Sequence, residues 1–133
     1  MSSSSTNNHR SKKRILIVDD ERDVGLSLKR VLERNRFLVD FYSDPLEALD
    51  NFKAGQYDLA IFDIRMPGID GTELYRRIRQ LDKRIKICFI SAYEITIEEL
   101  SRILPDYILN CLFKKPVPAK FLLEKVAEAL SAT

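Results

Sequence analysis

No apolar run in this sequence approaches the roughly 18 residues that a membrane-spanning helix needs, so a soluble protein with no membrane partner is expected. Neither sign of charge dominates. Twenty-two basic against twenty acidic residues leave a net charge of +2, too little to point to nucleic acid. Cysteine is scarce as well. The two present, Cys88 and Cys111, lie in apolar strand-like runs without metal-ligand spacing. They are expected to be buried reduced thiols, as suits a cytoplasmic protein. The amino terminus lacks the apolar core of a secretory signal. Its Ser/Asn-rich residues, followed by Lys12 and Lys13, make residues 1–12 a disordered tail whose basic run reads as solvated charge. No internal repeat appears.

What remains is enough for one domain, expected over residues 13–131, with 45% hydrophobic and 32% charged residues among 133. The chain is organised around Tyr57 to Gly71. Leu59 to Phe62 is a short apolar run, a strand buried on both faces, and Asp63 sits where it stops. Similar strands are expected at Ile15–Val18, Phe37–Tyr42, Ile85–Ile90 and Leu109–Phe113; the one carrying Asp40 should lie near an edge. Helical periodicity falls between them. Val24, Leu28, Val31 and Leu32 form one stripe, and Leu46, Leu49 and Phe52 a second, opened by Asp44-Pro45 and stopped by Gly55. Leu74, Ile78 and Leu81 form a third. Thr96 to Glu99 is a capping box before Leu100, Ile103 and Leu104, ended by Pro105. The last helix, from about Pro118, buries Leu122, Val126, Ala129 and Leu130.

Alternating strands and helices imply a parallel sheet with helices on both faces. Right-handed crossovers then bring every strand's carboxyl end to one edge, where open sheets bind ligands. Asp19, Asp20, Asp63, Ser91 and Lys115 all fall there. Helix start explains one or two of the acids Asp19-Asp20-Glu21, but not all three; Glu21 is assigned to it. Carboxylates about 4 Å apart repel by roughly 4 kcal/mol at an effective dielectric of 20, so the cluster calls for a cation. Mg2+ suits such ligands, and a carboxylate can attack a phosphoryl group to form an aspartyl-phosphate. A lysine and a hydroxyl would then hold the phosphoryl oxygens.

Ile15 to Glu21, Asp63 followed by Met66-Pro67-Gly68-Ile69-Asp70-Gly71, Ser91-Ala92 and Lys115-Pro116 together resemble a two-component response-regulator receiver domain, of the chemotaxis type with a single domain. The resemblance covers residues 14 to 131. It implies a flavodoxin-like α/β fold, a doubly wound five-stranded parallel sheet of order 2-1-3-4-5. It also implies a phosphoacceptor in a phosphorelay rather than an enzyme, with Asp63 accepting phosphoryl from a sensor histidine kinase or phosphotransfer protein and then changing the affinity for a downstream protein. Mg2+ would be held by Asp63, Asp20 and the Arg65 carbonyl, with Asp19 acting through a water. Ser91 matches the switch hydroxyl and Lys115, rather than Lys114, the phosphate-binding lysine. In the family the Lys-Pro bond is usually cis.

Three departures stand out. Leu112 occupies the place of the family's switch aromatic, three residues before the lysine. Pro105 interrupts a region that usually holds a Gly-Ala pair. Arg65 and Tyr93 lie at variable positions that tune phosphoryl lifetime, and Tyr93 is the expected moving ring. Aspartyl-phosphate hydrolases carry a second Asp where this chain has Arg65, which argues against that class. A phosphorylation-independent module would lack the acceptor, the acid pair or the lysine. Nothing after the last helix reads as an output domain, so a stand-alone regulator or a detached receiver is expected, with no nucleic-acid binding of its own.

Overall fold

The computed structural model describes residues 12–91, 96–102, 104 and 111–131. Five strands, β1 (Arg14–Val18), β2 (Leu38–Tyr42), β3 (Leu59–Asp63), β4 (Lys86–Ser91) and β5 (Leu112–Lys114), form one parallel sheet of order β2-β1-β3-β4-β5. Among the described residues five helices alternate with them: α1 (Arg22–Arg34), α2 (Pro45–Asn51), α3 (Gly71–Leu81), α4 (Ile97–Ser101) and α5 (Ala119–Ser131). This is the flavodoxin-like arrangement, with β2 at one edge. Strand order reverses between β1 and β3, so Asp19 and Asp63 lie side by side at the switch point.

Alternate residues of each strand feed two cores, because side chains alternate across a pleated sheet. Leu16, Val18, Ala60, Phe62 and Phe89 pack under α2, α3 and α4 through Ala48, Leu74, Tyr75, Ile78, Leu100 and Leu104. Ile15, Ile17, Leu59, Ile61, Ile90 and Phe113 pack under α1 and α5 through Leu28, Leu32, Leu122 and Val126. Central strand β3 is buried along its whole length, as its unbroken apolar run requires. Val24, Val31, Ala129 and Leu130 lie half-buried against the second core.

Several expectations need correction. Helix α2 turns Pro45 and Ala48 inward with Leu49 and Phe52 beside them, which leaves Leu46 exposed. The helix ends at Asn51 with Phe52 as its cap, so Gly55, at φ +82°, makes the later turn rather than the stop. Helix α3 buries Gly71, Leu74, Tyr75 and Ile78 at helical spacing, and Leu81 falls outside that stripe, 54% exposed. Strand β5 is only three residues long, and Cys111 precedes it. Residues 1–11, Tyr93, Ile103, Pro105, Leu109 and Asn110 lie outside the described residues.

The largest correction concerns the cysteines. Cys88 and Cys111 are joined in a disulfide, their Cα atoms 4.8 Å apart, and are not reduced thiols. Phe89 pairs with Leu112 across β4 and β5, which sets the preceding residues of the two segments side by side. Pairing of distant segments is not visible in cysteine spacing, and with register comes the distance a disulfide needs.

Candidate functional site

Strand β3 ends in Asp63 and the chain must turn at once. Gly68 takes φ +89° in that turn, and Asp70 caps α3 by accepting a hydrogen bond from Glu73 N. Gly71 then packs directly on the Asp63 backbone: a Cβ there would lie 2.2 Å from the Asp63 carbonyl oxygen. Gly71 N donates to the Ile64 carbonyl at 2.8 Å. The turn therefore clamps the backbone that carries Asp63.

Strand β1 delivers Asp19 and Asp20 beside it. Asp19 is fully buried and its Oδ1 accepts from Glu21 N at 2.9 Å. One carboxylate oxygen from each of Asp19, Asp20 and Asp63 lies within 4.8 Å of the others. Strand β5 delivers the counter-charge. Lys115 Nζ donates to Asp63 Oδ2 at 3.0 Å, to Asp19 Oδ1 at 3.2 Å and to Glu21 Oε1 at 2.5 Å. Lys114 is exposed. Lys115 N also donates to the Ser91 carbonyl at 2.9 Å, so Ser91, buried at the end of β4, neighbours the lysine. The Lys115–Pro116 bond is cis. Arg65 is exposed, its N–H donating weakly to Asp63 Oδ1 at 3.4 Å.

Charges this close resist ionising together. Burial and hydrogen bonding with Asp19 push the Asp63 carboxyl from its ordinary 3.8 up to about 6, against the pull of Lys115. Burial, then the charge of Asp63, raises Asp20 as well. Burial would lower Lys115, but its hydrogen bonds to Glu21 and Asp63 and the charge of Asp19 outweigh this and hold it above its usual range. One atom is left over. Asp19 Oδ2 lies 3.2 Å from Lys115 Nζ, yet it is buried and accepts no hydrogen bond.

The structure thus brings Asp19, Asp20, Asp63, Ser91 and Lys115 to one edge. It does not bring Leu112 there: three residues upstream of Lys115, that side chain is half-buried against the first core. Glu21 was undervalued in the sequence. As N-cap of α1 its side chain makes no capping bond and instead reaches Lys115. The signal that could have found it is the run of three consecutive acids, Asp19-Asp20-Glu21.

The family model of the response regulator receiver domain matches residues 15–127. The chain belongs to that family. Receivers are signalling phosphoacceptors of two-component systems, and the sheet order found here is the one shared by CheY-like receivers. The response regulator MprA of Mycobacterium avium is 32% identical over 120 residues, covering 90% of this chain and 52% of its own. This receiver therefore spans about half the length of the curated relatives it matches. Among solved structures, a CheY-like receiver domain protein of Methanospirillum hungatei superposes with a TM-score of 0.76 at 32% identity, over 90% of this chain and 94% of that one. TrrA of Thermotoga maritima, solved in complex with Mg2+ and BeF, gives 0.75 at 37% identity, over 88% and 98%. Among the described residues no helix is long and apolar enough to cross a membrane.

Proposed function

We propose that this receiver accepts a phosphoryl group on Asp63 from the phosphohistidine of a sensor histidine kinase or phosphotransfer protein in the cytoplasm, and that the modified domain changes its affinity for a downstream protein. An Asp63 oxygen attacks phosphorus, the bond from phosphorus to the donor imidazole breaks, and its electron pair leaves with that nitrogen. Lys115 and the Ser91 hydroxyl hold the phosphoryl oxygens. The observation that carries this reading is the contact of one lysine with both Asp63 and the buried Asp19, beside a carboxylate oxygen left without a hydrogen bond.

That oxygen, ion-paired with Lys115 but accepting no hydrogen bond, in a set of hard oxygen donors, also fits Mg2+. Asp63, Asp20 and the Arg65 carbonyl would hold the ion, with Asp19 acting through a water. When bound, the ion offsets the negative charge that gathers at the phosphoryl group. Ser91, Leu112 and Tyr93 would carry the switch to the output surface. Intact mass after treatment with acetyl phosphate tests the assignment: one added phosphoryl is expected, lost in Asp63→Asn and lost with chelator. Undiminished labelling of Asp63→Asn would move the acceptor elsewhere.

A further inference from the structure

We propose that Cys88 and Cys111 form a redox-active pair, opened and closed by exchange with small thiols, whose state sets how firmly β5 holds Lys115. The inference deepens the phosphoacceptor reading and rests on it for its functional consequence. The bond lies three residues before Ser91 and four before Lys115, and it ties together the two segments that deliver them. Strand β5 needs such a tie. Among the described residues it is a three-residue edge strand, paired through Leu112, Phe113 and Lys114 to β4. Its other anchors are the Phe89 N–H donating to the Cys111 carbonyl at 3.0 Å and Phe113 packed with Leu122 and Val126. With the bond open, these contacts, the Lys115 N–H on the Ser91 carbonyl and the ion pairs of its ammonium hold Lys115 at the carboxylates without a covalent tie.

Chemistry and burial define the route. Cys88 is fully buried and Cys111 is 9% exposed, so an incoming thiolate meets the Cys111 sulfur. It forms a mixed disulfide there, the protein bond breaks, and its electron pair goes to the Cys88 sulfur, which takes a proton. A second small thiol attacks the mixed disulfide and frees the Cys111 thiol. Two thiols have become one small-molecule disulfide, and the protein disulfide has become a dithiol. The reduced pair remains compatible with the fold, because free cysteine packs as a small apolar group among Ile90, Phe113 and their neighbours. In a reducing compartment a disulfide is characteristically transient and redox-sensing.

Glutathione buffers of graded ratio, applied to the native full chain and followed by maleimide trapping and intact mass, read the pair directly. Species with no adduct and with two adducts should interconvert without denaturant. A bond spanning 23 residues of separation restrains local opening. Reduction should therefore speed amide exchange at residues 111–115 by up to about a hundredfold and slow phosphoryl uptake from acetyl phosphate several-fold. The double variant Cys88→Ala/Cys111→Ala should match the reduced protein and ignore the buffer ratio. A bond that opens only on unfolding, one that never forms, or equal exchange in the two states overturns the proposal. A chain that takes no phosphoryl in either state overturns the site reading instead, while trapping and exchange still decide the pair.

Discussion

At Lys115 a single ammonium meets Asp19, Glu21 and Asp63. Burial first, then hydrogen bonding with Asp19, leaves Asp63 reluctant to ionise despite the pull of Lys115. Its folded value of about 6 stands above the ordinary 3.8. The folded protein thus binds the proton more tightly than the unfolded chain does. The resulting stability is complete below pH 3.8 and disappears as pH rises through about 6. Asp63→Asn removes this dependence. In chelator at pH 7 it should be more stable than the parent by about 1–2 kcal/mol, a figure discounted for solvent screening, with the gain shrinking toward pH 4. Urea unfolding across that range checks it; a parent that outlasts Asp63→Asn at pH 7 contradicts the charge balance described.

At the scale of elements, the β3–α3 turn and β5 do separate jobs. The turn fixes Asp63 by backbone contact, and Gly71 is the contact. Gly71→Ala must move the helix start away from the Asp63 carbonyl. It should cost about 1–3 kcal/mol, as overpacking does, and should slow phosphoryl uptake even where the chain is fully folded. Thermal unfolding and acetyl phosphate kinetics on one sample separate the two effects. Strand β5 carries Leu112, proposed above as part of the switch. Leu112 is smaller than an aromatic ring and has no hydroxyl, so its inward movement buries little new surface. The missing ring burial is worth about 1–3 kcal/mol, against roughly 5.5 kcal/mol to take a two-state equilibrium from 1:99 to 99:1. A weak response at Leu112 is expected, with residues 92–97 and Tyr93 carrying more of it. Amide shifts with and without beryllofluoride test this: Tyr93→Ala should blunt them more than Leu112→Ala, and the reverse order assigns the switch to Leu112.

For the whole molecule, the proposed Mg2+ binding would be coupled to folding, because the carboxylates that meet at the sheet edge are scattered in the unfolded chain. Mg2+ at a hundred times its dissociation constant should add about 2.7 kcal/mol of stability, removed by chelator. Asp20→Asn should abolish most of that increment. Glu21→Gln should keep it, since Glu21 meets Lys115 and lies outside the carboxylate cluster. Calorimetric titration alongside thermal unfolding measures both; equal losses in the two variants would place Glu21 among the ligands.

The sequence by itself determined the strand–helix alternation, the strand order through the family motifs, and the acids, hydroxyl and lysine at the strand ends. Those features are local: a buried parallel strand needs an apolar run, and a strand end needs a turn. Only the tertiary structure decided which neighbours each side chain meets. Glu21 reads as a helix start along the chain, yet its carboxylate finds Lys115, 94 residues away. Leu46 and Leu81 fit a helical stripe, but Ala48 and Tyr75 are buried while both leucines stay exposed. Cys88 and Cys111 look like isolated core residues until β4 and β5 pair in register. Register and crossing angle arise from packing the whole core at once, and no stretch of chain encodes them alone.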